Sequence, residues 1–273
     1  MIKTTRYAIS TLATFLGLSG CNAYGAESDA GRFSVSTGFD YSSGKYGTSS
    51  STHILYIPVS VKYEADRTRF KLTVPYLRIS GEGNVVSAEG SQVDLSNAGI
   101  RRTDSGLGDV VASAFGTLIP EAGNWPWVDL GVKIKFGTAD EIKGLGTGEN
   151  DYSFQVDITK TYDKFTAFAT LGYKWVGDPP GFELNNVLYR GVGGAYKFAP
   201  RTSAGAFIDY RQAASPGQDN PQELMLYANH KLSPDLSLVV YIYRGFSDGS
   251  PDIGGGLQIA YRLSRAFVRP HAQ

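Results

Sequence analysis

Nine ionisable residues recur inside otherwise apolar, alternating stretches of the chain: Lys62, Lys71, Lys133, Lys135, Asp157, Lys174, Arg190, Asp209 and Arg211. A charge in mid-segment needs water on its side of an extended backbone, and the large apolar residues between such charges need a dry surface on the other. Such a set can line a water-filled conduit, in which an excess of lysine biases passage toward anionic solutes. It can equally fill a closed interior, Lys and Arg pairing with Asp and Glu without conduction. Other chemistry has less support. His53, His230 and His271 have no carboxylate or second histidine at a ligand spacing, so no metal site is expected. No Ser-rich segment accompanies a histidine in the middle of an apolar face, as hydrolysis at a barrel wall requires. Gly144-Leu-Gly-Thr-Gly148 looks like a phosphate loop but lacks a Lys-Ser/Thr pair and a following helix, and reads as a flexible external loop. The glycines at 191, 193, 194 and 254–256 read as sites of strand curvature or aromatic packing. No cofactor is expected.

The elements that must carry these residues are strands. In Trp127 to Phe136, Val128, Leu130, Val132, Ile134 and Phe136 fall on one side of an extended backbone, with Asp129, Lys133 and Lys135 on the other. The same period recurs in Phe33 to Tyr41, Leu55 to Tyr63, Phe70 to Tyr76, Tyr152 to Ile158 and Phe165 to Trp175. It continues through Ala204 to Tyr210, Leu224 to Leu226, Leu236 to Ile242 and Leu257 to Phe267. Leu107 to Ile119 is weaker and its facing stays unassigned, with Val110, Ala112 and Ala114 as the apolar set. In all there are about twelve strands of roughly ten residues, the length that crosses a bilayer at a tilt. Short turns alternate with long loops, of which Ser80 to Ser105 is the longest and is expected to fold inward as a constriction. Aromatic residues gather at the ends of the apolar faces, as interfacial girdles require. A secreted β-sandwich also alternates, but it has edge strands to protect, and only Pro58 and Pro75 stand inside strands here. The fold expected is all-β: a transmembrane antiparallel up-and-down β-barrel.

Composition agrees. The chain has 273 residues with 33 Gly, 17 Tyr and 14 Phe, and its low hydropathy excludes a bundle of membrane helices. Equal numbers of acidic and basic residues argue against nucleic acid as a partner. The one cysteine, Cys21, leaves no intrachain disulfide. Lys3, Arg6 and the short apolar stretch after them read as an export signal over residues 1–26, followed by a single barrel domain over 27–273. Two cleavage sites compete, one near Ala23 to Ala26 and a lipobox, Leu18-Ser-Gly-Cys21, that would make Cys21 an acylated N-terminus.

With the strands placed, three short stretches carry a family resemblance: Val74-Pro-Tyr76, Gly106-Leu-Gly-Asp109 and Gly146-Thr-Gly-Glu-Asn-Asp-Tyr152. The chain resembles the outer-membrane barrels named for the MetA pathway (meta-pathway) of phenol degradation. That resemblance implies a barrel and a role in uptake of aromatic or other small compounds, and it brings no agreed binding residues. Gly256 to Tyr261, with Leu263 and Phe267, also resembles the C-terminal signal read by the barrel insertion machinery, although the tail Val268 to Gln273 departs from it.

The expectation is a bacterial outer-membrane channel for passive uptake of small solutes, both termini periplasmic, with lipid, the insertion machinery and a small-molecule solute as partners. A non-conducting structural or adhesive barrel is the alternative, and a lipid-acting barrel enzyme the third reading.

Overall fold

In the computed structural model of the chain, residues 31–46, 50–82, 85–86, 92–93 and 101–263 are described. The export segment with Cys21, His271 and the tail after Leu263 lie outside the described residues.

Alternation produces strands among the described residues, the last ending at Arg262 with Phe267 outside them. They are β1 (Arg32–Gly44), β2 (Thr52–Ala65), β3 (Thr68–Glu82), the two-residue β4 (Val85–Val86) and β5 (Gln92–Val93), and β6 (Arg101–Leu107). After these come β7 (Val110–Ile119), β8 (Trp127–Phe136), β9 (Asp151–Tyr162), β10 (Phe165–Trp175) and β11 (Val187–Ala199). The last are β12 (Thr202–Arg211), β13 (Gln222–Lys231), β14 (Leu236–Gly245) and β15 (Ile253–Arg262). Each long strand pairs antiparallel with its sequence neighbours, and β1 also pairs with β15, which closes the sheet into a 12-strand barrel. β6 and β7 count as one wall strand, since both pair with β3.

The tight connections at one end are Asp66–Arg67, Asp163–Lys164 and Pro200–Arg201. Asp66 and Asp163 take positive φ (45° and 52°), a conformation aspartate tolerates in turns. Connections 120–126 and 232–235 join these turns at that end, while the long loops 137–150, 176–186 and 212–221 lie at the other end, so the barrel has a turn end and a loop end. β1 begins and β15 finishes at the turn end.

The outer surface is the apolar one. Val132 is 52% exposed, and Val59, Leu72, Phe154, Leu171 and Ile242 are exposed beside it around the wall. Exposed aromatic residues mark both rims: Tyr162 and Phe198 toward the turns, Tyr41, Tyr76, Tyr152 and Trp175 toward the loops. An uncovered apolar belt of this kind is the surface a bilayer covers.

The facing of 107–119 depends on a bulge. Tyr76 pairs with Leu107 and Thr73 with Val111, so one extra residue sits on the β6–β7 side at Gly108–Asp109. The alternation changes phase there. Leu107 and Val110 both face outward, Val110 and the residues at 112 and 114 opposite outward Phe136, Ile134 and Val132. The extra residue turns Asp109 inward, and it is wholly buried.

Candidate functional site

The interior is polar and charged, and its charges fall into rows. Residues directly opposite on neighbouring antiparallel strands share a face, so a chain of such pairs runs across the wall. One row is Lys62, Lys71, Ser113, Lys133, Ser153 and Lys174, crossing β2, β3, β7, β8, β9 and β10. It starts two to three residues from the β2–β3 turn and climbs to the loop end of β10. Parallel to it, on the turn side, runs an acidic row of Asp129, Asp157, Thr170, Gly191, Asp209 and Glu223. On β8 the two rows are four residues apart, about 13 Å along a strand.

A middle row begins at Arg69 and ends at Arg211, and its arginines tie it to the acidic row. Arg69 pairs with Asp129 at 2.6 Å. Asp129 also accepts from Thr117 at 2.7 Å and from the Trp127 indole N–H at 2.6 Å. Arg211 pairs with Asp209 at 2.8 Å and with Glu223. Asp157 accepts from the Gln155 amide nitrogen at both carboxylate oxygens, at 2.7 and 2.8 Å. Lys133 lies over the Tyr189 ring, 5.7 Å from its centroid. Lys62 pairs with Glu64 at 3.0 Å. Lys71 forms no ion pair among the described residues, and its charged neighbours are Lys62 and Lys133. It faces a cavity of about 120 Å³ near the turn end, whose charged lining is Lys62, Glu64, Lys231, Asp235 and Arg262.

Toward the loop end the interior is filled. Lys135 is 1% exposed and sits between Asp109 (0%, 3.5 Å) and Asp151 (1%, 3.2 Å), donating also to Thr147 at 3.3 Å. Loop 137–150 folds inward; most of 80–105, expected as the constriction, lies outside the described residues, and 101–107 extends the wall as β6. Asp109 accepts from Ala139 N–H at 2.9 Å, which ties the loop to the bulge. A turn follows in which Asp140 accepts from Lys143 N–H, its carboxyl held below the usual carboxylate range by that backbone hydrogen bond. The turn delivers Leu145, fully buried, against Ile54, Leu77 and Ile79 beneath it. Gly144 to Gly148 is therefore a tucked segment rather than a free external loop. Tyr46, at the end of β1, packs into the same plug, and burial with nearby Glu223 and Asp40 pushes its hydroxyl well above the usual phenol range.

A second apolar cluster, Phe168, Phe207, Met225, Val239, Tyr241 and Tyr243, covers the inner wall of β10 and β12–β14. Its rings lie over glycines of the next strand. A Cβ on Gly191 would overlap Phe207, and one on Gly254 would overlap Tyr243. That ring-over-glycine packing is the use of the two glycine clusters.

Eight of the nine residues named from sequence face inward: Lys62, Lys71, Lys133, Lys135, Asp157, Lys174, Asp209 and Arg211. Arg190 is a correction. It pairs with outward Leu171 and Tyr210, and its guanidinium stacks on the Tyr210 ring outside the barrel at 4.8 Å. Glycines at 191, 193 and 194 had removed the apolar markers that fix the phase of β11. Asp109, Asp151, Glu223 and Arg69 were missed because they sit at strand ends or at the bulge, where alternation has too few neighbours to be read. His53 and His230 face outward, bonded to the Tyr41 hydroxyl at 3.0 Å and the Thr202 hydroxyl at 2.9 Å.

A family model described as "Putative MetA-pathway of phenol degradation" matches residues 27–263. The chain belongs to that family. No curated protein matches the sequence. Among solved structures the chain is similar to the COG4313 outer membrane channel from Pseudomonas putida F1. The two share 14% identity with a TM-score of 0.70, over 89% of this chain and 99% of that one. It is also similar to the KdgM porin, at 9% identity and a TM-score of 0.51, over 85% and 99%. The barrel thus has the fold of these outer-membrane barrels. Within this family member, the three short stretches that carry the resemblance converge on Lys135. Pro75 C=O accepts from Gly108 N–H at 2.9 Å, Gly108 leaves Asp109 inward, and Thr147 and Asp151 complete the ring around the ammonium.

Proposed function

We propose that this barrel is a passive outer-membrane route for small solutes, aromatic compounds among them, and that it works without a cofactor. The observation that carries the reading is the cation row that starts in the turn-end cavity and climbs the inner wall, with Lys71 in no ion pair among the described residues. An interior built only to be filled would pair that ammonium, as it pairs Lys135 and Arg211. The family description, with its phenol degradation, supports aromatic cargo. Ring faces of the Phe168–Tyr243 cluster offer a matching surface on the opposite wall.

Loop 137–150 and Leu145 close the loop end, so passage requires the plug to shift. In this reading the turn end faces the periplasm, which sets both termini there, and the insertion machinery recognises the last strand. Hydrolysis is not proposed. Ser43 and Ser80 flank His53 across the strands, but the ring is engaged by Tyr41 and the Ser80 hydroxyl accepts from Thr103 at 2.9 Å.

The packed loop end favours a second reading, a non-conducting barrel. Planar-bilayer recordings separate the two. Small discrete openings are expected, followed by liposome swelling with phenols, carboxylates and sugars to rank solutes. Reproducible silence of folded protein would overturn the conducting reading.

A further inference from the structure

Three outward arginines lie toward the loop end of the wall: Arg78 on β3, Arg190 on β11 and Arg244 on β14. All three are exposed, and none forms an ion pair among the described residues, whereas the inward arginines 69 and 211 are both paired. The acidic residues of the neighbouring loops, Asp178, Asp219 and Asp248 among them, leave them unpaired too.

Their height is that of the rim. Arg78 follows girdle residue Tyr76 by two positions, about 7 Å along the strand. Arg190 is held flat against Tyr210, which keeps its donors in a fixed plane. These arginines stand at the upper border of the apolar belt, face away from the protein and meet no carboxylate in an ion pair among the described residues. Planar guanidinium groups match phosphate in bidentate fashion, and phosphate is what the headgroup layer of an outer leaflet presents. The turn end lacks this pattern. Outward Lys160 there is paired with Glu121 at 3.2 Å.

We infer that Arg78, Arg190 and Arg244 form a binding collar for the phosphates of the outer-leaflet glycolipid, one lipid phosphate at each arginine around the barrel. The inference rests on the outer-membrane reading of the site and not on conduction, so a conducting barrel that ignores lipid phosphate would overturn it alone.

Native mass spectrometry of the detergent-solubilised full chain tests it, with bis-phosphorylated lipid A, dephosphorylated lipid A and phosphatidylethanolamine as separate probes. The unmutated protein retains bis-phosphorylated lipid A and loses most adducts when the phosphates are removed. R78Q/R190Q/R244Q binds it about fivefold more weakly at each of the three positions and retains correspondingly fewer adducts per barrel. K160Q binds as the parent does. Heat-dependent gel mobility verifies that each variant is folded, and the comparison of lipid probes on the unmutated chain stands even where the triple variant fails to fold. Equal retention of phosphorylated and dephosphorylated lipid A, or undiminished binding by the folded triple variant, would overturn the collar.

Discussion

Lys135→Met is the most informative single change, because it removes one cation and strands two anions. The ammonium is 1% exposed, with Asp109 at 3.5 Å and Asp151 at 3.2 Å, both effectively without solvent. Neither carboxylate has another cation in an ion pair among the described residues. Breaking a buried pair in this way costs about 3–5 kcal/mol, mostly from the uncompensated charge left behind. Replacing the whole triad should cost far less. In Lys135→Met with Asp109→Asn and Asp151→Asn, the Oδ1 acceptors for Ala139 N–H and Gly177 N–H are retained while the charge disappears. The single variant should therefore lose roughly 3 kcal/mol or more and the triple should regain most of it. Urea unfolding in phospholipid vesicles, followed by the fluorescence of Trp125, Trp127 and Trp175, measures both. A single variant that loses less than about 1 kcal/mol, or a triple as unstable as the single, would refute the view that this cation holds the loop end together.

Removing residues 139–147, or changing Leu145→Asp, should raise single-channel conductance by opening the loop-end plug; unchanged conductance would place the constriction elsewhere. Lys71→Glu introduces an anion where the cation row begins, and reversal-potential measurements in a salt gradient should move toward cation preference. Nitroxide labels should separate the two faces of β8: Leu130 relaxed by dissolved oxygen, Lys133 by an aqueous nickel chelate, and the opposite assignment would invert the barrel. Gly131→Val pushes a side chain into the Phe115 ring and should cost about 1–3 kcal/mol, read as a lower urea midpoint.

Much of the architecture was legible because a membrane barrel repeats one physical requirement, dry outside and wet inside, along every strand. Trp127 to Phe136 satisfies it over ten residues, so its facing could be read without help. Legibility failed where that requirement relaxes. At Gly108–Asp109 an inserted residue changes the phase, and no count of apolar residues within 107–119 signals a bulge. In β11 the run of glycines left Arg190 without neighbours to fix its side. Loop length gave 137–150 no special place, yet it enters because it has a buried leucine to place and an inward carboxylate to grip, while the constriction expected of 80–105 lies largely outside the described residues. The pairing of Lys135 with Asp109 and Asp151 was hidden for another reason: the partners come from three separate wall segments, and only register brings them together.

The ring is completed only where β1 meets β15, from Ser34 against Arg262 to Ser43 against Ile253. Synthesis delivers the first of those partners almost a full chain length ahead of the second. Throughout that interval both borders of the nascent sheet have unclaimed N–H and C=O groups, ready to recruit any extended polypeptide nearby. Pairing of β15 with β1 removes both borders at once, so a chain in which β15 cannot pair keeps two open edges for association.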